Sequence, residues 1–181
     1  MIDASRDDPV ASRDPSGVQV RPASRADLPR LTEIYNHYVL QTAVTFDLEP
    51  VTPEERRAWL EQFGVTGPHR LFVAERDGVV LGYAGSHRFR ARRAYDTTVE
   101  TTVYCAPDAT GLGIGTLLYR ALFDALRGED LRVAIAAITL PNPASVALHE
   151  RFGFALVGVT HEVGRKFGRY WDVAWYEKRL G

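Results

Sequence analysis

The sequence predicts a single α/β domain in which one mixed sheet is covered by about four helices. Three observations predict it. Short strand-like runs and amphipathic helical stripes follow one another in the order βααβββαβαββ. An Asp77-Gly78 pair separates two apolar runs, Leu71–Ala74 and Val79–Ala84, which is the strongest short-range signal for a hairpin. Val133–Leu140 is apolar throughout except for one threonine, as suits a strand covered on both faces.

Taken in order, residues 1–16 hold four Asp and two Arg among few apolar groups, and are expected to form a mobile tail. The domain is expected over 17–181, opening with Val18 and Val20 in a short strand. Asp27 is the expected N-cap of a helix carrying Leu28, Leu31, Ile34, Tyr35 and Tyr38 at helical spacing. Thr52-Pro53 predicts a second helix, through Trp59, Leu60 and Phe63 to Gly64. After the hairpin, Thr97–Cys105 is rich in Thr, Val and Tyr and reads as a long strand. Gly113–Arg127 places Ile114, Leu117, Leu118, Ala121, Leu122 and Ala125 on one stripe, a third helix. A short fourth helix is expected from Asn142 or Pro143 to Phe152. Strands around Phe154–Thr160 and Tyr170–Arg179 close the chain.

Composition narrows the function. The 181 residues carry 22 Lys+Arg against 23 Asp+Glu, a net charge of −1, whereas a nucleic-acid binder normally carries a clear positive excess. Cys105 is the only cysteine, so an intramolecular disulfide and a cysteine metal cage are both excluded. Apart from His149, the four histidines show no metal-ligand spacing, and no metal is expected. No apolar run reaches the roughly 18 residues of a membrane helix, and the expectation is a soluble, cytoplasmic protein.

Gly111-Leu112-Gly113-Ile114-Gly115-Thr116 lies between a strand and an amphipathic helix. Bare main-chain N–H groups at a helix N-terminus form an anion site suited to a pyrophosphate. An ordinary glycine-rich turn fits the same residues. A P-loop is excluded because no Gly-Lys-Ser/Thr follows, and Thr116 occupies the last glycine of a dinucleotide fingerprint.

Strand, glycine loop, helix and apolar strand are then followed by Asn142-Pro143-Ala144-Ser145 and, further on, Phe152-Gly153-Phe154. In this order of motifs the chain resembles the GNAT superfamily of acetyltransferases. It is most similar to the phosphinothricin and methionine sulfoximine N-acetyltransferase branch. That narrower resemblance rests on Ile34–Tyr38 with Thr45-Phe46, Arg92, Ala94–Asp96, Val99–Tyr104 and Leu140–Asn142. Leu148–Glu150 and Gly164–Gly168 with Trp171-Asp172 complete it. One departure is Thr110, where the family usually has Gln or Arg.

The resemblance implies a GNAT-like domain whose mostly antiparallel, twisted sheet splays between its fourth and fifth strands. It implies acetyl-CoA as co-substrate, held by Val103, Tyr104, Gly111, Leu112, Gly113, Ile114, Gly115, Thr116, Asn142 and Ser145. It implies a small-molecule, amino-acid-like amine as acceptor, direct transfer, and a homodimer. A different amine, or a non-catalytic acetyl-CoA-binding module, are the rival readings.

An alkyl ammonium has only about one part in 2,500 as free base at neutral pH, a handicap of roughly 4–5 kcal/mol that a carboxylate can relieve. Glu100 sits in a Thr/Val/Tyr strand on the face of Thr98, Thr102 and Tyr104, where it is either such a base or an edge glutamate. The resemblance places it at the family's proposed general base. His149 matches the branch's histidine and is an acid for the departing thiolate, a proton relay with Glu100, or a packing residue. Arg88, Arg90, Arg92 and Arg93 form a basic run that is either a solvated loop or holds a guanidinium fork for an acceptor's acid group, with Arg90 and Arg92 the candidates and Arg92 matching the branch. Phe46 and Tyr95 are candidate pocket walls. Cys105 is expected to be a buried structural thiol.

Overall fold

A computed structural model describes residues 16–181. The expected tail, 1–16, lies outside these residues but for its last. Seven strands, β1 (Gln19–Pro22), β2 (Arg70–Arg76), β3 (Val79–Arg88), β4 (Thr98–Cys105), β5 (Val133–Leu140), β6 (Ala155–Lys166) and β7 (Arg169–Arg179), form one sheet in the order β1-β2-β3-β4-β5-β7-β6. Every neighbouring pair is antiparallel except β4 and β5. Four helices accompany it: α1 (Leu28–Gln41), α2 (Arg57–Leu60), α3 (Ile114–Ala125) and α4 (Pro143–Arg151). The predicted order of elements is the observed one.

Local chemistry explains where the elements begin. Asp77 and Gly78 both have positive φ, 52° and 76°, the two-residue turn whose twist matches the strands on either side. Phe167 and Gly168 repeat it between β6 and β7. The Asn142 side chain accepts from the Ser145 N–H at 3.1 Å, capping α4 as expected. Asp27 acts differently. Its carboxylate accepts from the Ser24 N–H at 2.7 Å and pairs with Arg21, so the cap belongs to the 3₁₀ turn that leads into α1. The helix expected from Thr52 is regular only over Arg57–Leu60. Thr52 and Glu55 still exchange hydrogen bonds, but they close a turn and not a helix. The sixth strand is longer than expected. A register shift between Thr160 and Gly164, with Glu162 at φ 52°, interrupts the side-chain alternation that would have revealed it.

One hydrophobic core fills the space between the sheet and α3, with Leu118, Tyr119 and Leu122 fully buried against Ala74, Val99 and Ala134. On the opposite face α1 and α2 bring Tyr35, Tyr38, Trp59 and Phe63 against Tyr83 and Tyr104. No helix among the described residues is long and apolar enough to cross a membrane.

Candidate active site

The parallel pair β4–β5 decides where the site lies. Its register runs through only Thr98↔Val133, Val99↔Ala134 and Glu100↔Ile135. Beyond Glu100 the two strands part, leaving one edge of 101–105 without a strand partner inside an otherwise continuous sheet. Main-chain groups in such a gap need partners. A cleft of about 840 Å³ opens there, and Thr101–Cys105 form one wall while Ala137, Ile138 and Thr139 of β5 form the other.

The glycine loop closes one end. Gly111 and Gly113 have φ of 75° and 78°, so the main chain turns through conformations that a side chain would strain. No atom lies within 4 Å of a Cβ built on Gly113, which leaves its main chain bare toward the cleft. Gly115 is demanded by packing, because a Cβ there would stand 2.9 Å from Leu148 Cδ2 of α4. The start of α3 therefore presents N–H groups, with their partial positive charge, to the cleft. These features suit the phosphates and extended arm of coenzyme A.

Of the residues expected to hold that group, Val103, Tyr104, Gly111, Gly113, Ile114, Gly115, Thr116, Asn142 and Ser145 line the cleft. Leu112 packs against the core beside it. The sequence reading did not include Thr42–Val44, Arg151, Arg169 and Trp171, which also line it. They come from the end of α1, the end of α4 and the β6–β7 hairpin, and only tertiary structure brings them together. Arg151 stands at the mouth, its guanidinium 3.5 Å from Thr116 Oγ1.

Glu100 is half-buried at the apex of the splay, the last β4 residue to pair with β5. It lies on the face of Thr102 and Tyr104 and has no side-chain hydrogen bond among the described residues. It is not part of the cleft wall, which begins one residue later. His149 lines the cleft but is 3% exposed. Its Nδ1–H donates to the Ser145 carbonyl at 2.7 Å, which leaves Nε2 as acceptor for the Tyr119 hydroxyl at 2.9 Å. This protonation pattern follows from the partners, since a carbonyl can only accept. Burial holds the imidazole below its ordinary range.

Phe46, Arg90, Arg92 and Tyr95 stand outside the cleft lining of this chain. Phe46 packs its ring on Gly164 of β6, and Lys166 ties the same loop down by donating to the Thr45 carbonyl at 2.8 Å. Arg90, Arg92 and Tyr95 belong to the exposed segment that enters β4 at the end nearer Glu100, with Arg90 stacked 4.8 Å from the Phe89 ring. Cys105 is only half-buried, in the wall of the cleft, and not the fully buried thiol expected; desolvation pushes it up to about 11. Among the described residues no group of His, Cys, Asp and Glu could hold a metal.

Residues 31–154 match the Acetyltransferase (GNAT) family. The chain belongs to that family. It is 61% identical over 165 residues to a phosphinothricin N-acetyltransferase of Streptomyces coelicolor, covering 90% of this chain and 96% of that one. It is 37% identical over 161 residues to an L-methionine sulfoximine/L-methionine sulfone acetyltransferase of Pseudomonas aeruginosa, covering 89% and 94%. The structure of a GNAT superfamily phosphinothricin acetyltransferase from Sinorhizobium meliloti in complex with acetyl-CoA superposes with a TM-score of 0.86 at 35% identity, covering 91% and 89%. The splayed sheet and bare glycine loop are thus those of an acetyl-CoA-dependent N-acetyltransferase.

Proposed function

We propose that this GNAT enzyme acetylates the α-amino group of a small, amino-acid-like acceptor of the phosphinothricin and methionine sulfoximine type. The observation that carries the reading is the position of Glu100 at the point where β4 and β5 part. A thioester lying along the unpaired stretch of β4 ends near that apex, and a carboxylate there takes the proton an ammonium must lose before it can attack. A main-chain N–H near Val103 or Tyr104, further along the open edge, meets the thioester oxygen as charge develops on it. Val103, Tyr104, Gly111–Thr116, Asn142 and Ser145 hold coenzyme A. Because a thioester is already activated, fixing both reactants in line provides much of the acceleration.

The acceptor approaches from the Glu100 side. Arg90 and Arg92 lie on the segment leading into β4, where a guanidinium fork meets the acceptor's acid group. Tyr95 and Phe46 give the pocket its apolar rim. His149 completes the reading as proton donor to the departing thiolate, its own proton resting on Nδ1. The enzyme works as a soluble cytoplasmic homodimer. β6 is the sheet edge and exposes Leu156, Val157 and Val163, which with Phe167 of the following turn make apolar surface that a second copy would cover.

The test is consumption of acetyl-CoA across phosphinothricin, methionine sulfoximine, methionine sulfone, ordinary amino acids and polyamines. Turnover confined to the first three, with some tolerance of amino acids, fits the reading. Preference for polyamines overturns the acceptor class, and silence across the whole panel points to a binding module instead.

A further inference from the structure

Acetyl transfer from a thioester to an ammonium releases one proton per turnover. R–NH₃⁺ and CH₃CO–S–CoA become R–NH–COCH₃, CoA–SH and H⁺. Of the two protons the nitrogen loses, one ends on the thiol and the other must leave the site. If Glu100 accepts that second proton, as proposed above, it must give it up again before the next cycle. Glu100 lies within a strand flanked on both sides, and its route to solvent has to be found in its neighbours.

The β3–β4 register supplies one. His87 of β3 is the direct cross-strand partner of Glu100, in an unbroken run from Gly82↔Cys105 to Arg88↔Val99. Directly opposed residues in an antiparallel pair project to the same face with Cβ atoms about 4.5–5.5 Å apart. On that face Tyr83↔Tyr104 and Gly85↔Thr102 continue the row inward. Both His87 and Glu100 are half-buried, and neither side chain has a hydrogen bond or ion pair among the described residues. On the other flank Glu100 meets Ile135, which offers no exchangeable proton. His87 sits one residue from the exposed Arg88 at the strand's end, and so it spans the distance from the carboxylate to the surface.

We propose that His87 is a positioning and relay residue that carries the proton from Glu100 to solvent after each transfer. The inference rests on Glu100 as the base. No direct hydrogen bond joins the two side chains, so the proton crosses through one bridging water, the usual arrangement where polar groups stand beyond about 3.5 Å. The Glu100 carboxylic acid gives its proton to the His87 imidazole, and the resulting imidazolium gives it to bulk water or buffer. Imidazole has two ring nitrogens, so it can take a proton at one and release one from the other. The other charged groups around His87 are His69, Arg88 and Asp96. His69 is held below its ordinary range by burial, with Arg88 and His87 adding to the effect, and Arg88 is paired with Asp96 at 2.8 Å. None of the three is opposed to Glu100 in the sheet.

The experiment uses the full chain with the best acceptor of the panel. His87→Gln keeps the size and polarity of the side chain but cannot shuttle a proton. We expect kcat to fall on the order of ten-fold, less than the 10²–10⁴ typical of a direct acid–base group, with KM for acetyl-CoA unchanged. Added imidazole should restore most of the loss in a concentration-dependent way while leaving the wild type unaffected. A merely structural histidine gives a loss that buffer does not repair, and that result overturns the relay, as does an undiminished kcat. Glu100→Gln separates the two readings. If it is inactive while His87→Gln is normal, only the relay falls; if it is fully active, the base assignment itself falls. Glu100→Gln/His87→Gln should be no slower than Glu100→Gln, because the two groups act in series.

Discussion

The hydroxyl of Tyr119 and the imidazole of His149 form a buried hydrogen bond of 2.9 Å between α3 and α4. It joins the helix that begins at the glycine loop to the helix that begins at Asn142, and thus braces the two ends of the cleft. The Tyr119 ring also packs edge-on to His149 and Phe152. Tyr119→Phe preserves this packing and removes only the donor, leaving Nε2 buried and unsatisfied. Such a loss costs about 1–3 kcal/mol, which in a domain of this size lowers Tm by roughly 2–4 °C per kcal/mol. An unchanged Tm in calorimetry would show that the bond contributes nothing. If His149 also serves the thiolate, kcat falls with it.

The same histidine sets an acid limb on stability. Burial lowers its proton affinity in the folded state, so the unfolded chain binds a proton that the native state refuses. The contribution is whole above the ordinary histidine value of 6.5 and is lost as pH falls from there through the lower folded value. Asp27 adds a second stage. Its hydrogen bond from Arg21 holds it below the ordinary 3.8, and its contribution disappears only as pH falls through that lower value. We expect Tm to decline in two steps on acidification, and His149→Phe to abolish the first while sparing the second. A single step shared by both proteins would refute the assignment.

Gly113 gives a test of the coenzyme site that is separable from catalysis. Its φ of 78° suits glycine, and a branched side chain there would strain the turn and project into the open cleft. Gly113→Val should weaken coenzyme A binding by at least about ten-fold, or ~1.4 kcal/mol, measured by titration calorimetry without any acceptor. Circular dichroism would show that the fold survives. Full affinity in a folded variant would remove the loop from the phosphate site.

The parts of this architecture that were legible from sequence are those decided within a few residues. Asp77-Gly78 encodes its own turn, the stripe from Ile114 to Ala125 its own helix, and Gly111–Gly115 its own bare loop. Thr52-Pro53 carries the signals of a helix start and Thr52 and Glu55 do form the reciprocal capping hydrogen bonds, yet the chain winds as turns until Arg57 and is regular only over Arg57–Leu60. β6 runs past Thr160 to Lys166, but its bulge breaks the period of two that alternation needs. The part of the cleft lining that comes from segments far apart in sequence was the least legible. Thr42–Val44, Arg169 and Trp171 meet only because β7 returns beside β5, a pairing no local pattern specifies.

That loop–hairpin contact yields the last prediction. A Cβ on Gly164 would fall inside the van der Waals surface of the Phe46 ring, so glycine at this point of β6 lets the loop after α1 lie flat against the hairpin. The ring cannot simply step aside, because the Thr45 carbonyl beside it is held by Lys166 Nζ at 2.8 Å and the Trp171 indole donates to the Lys166 carbonyl at 2.9 Å. Gly164→Ala therefore displaces the loop or breaks its anchor. Thr42–Val44 and Trp171 both line the cleft, and Phe46 is the rim proposed above for the acceptor, so the displacement is expected to reach that end before the glycine loop at the other. We expect KM for the acceptor to rise by about ten-fold while coenzyme A affinity stays within about two-fold, the overpacking itself costing about 1–3 kcal/mol of stability. Phe46→Ala should relieve the clash. Gly164→Ala/Phe46→Ala should then be more stable than the two single losses predict by at least about 0.5 kcal/mol. Strict additivity would mean that ring and strand do not press on each other, and an equal loss of coenzyme A affinity would mean that the contact serves the whole cleft and not its acceptor end.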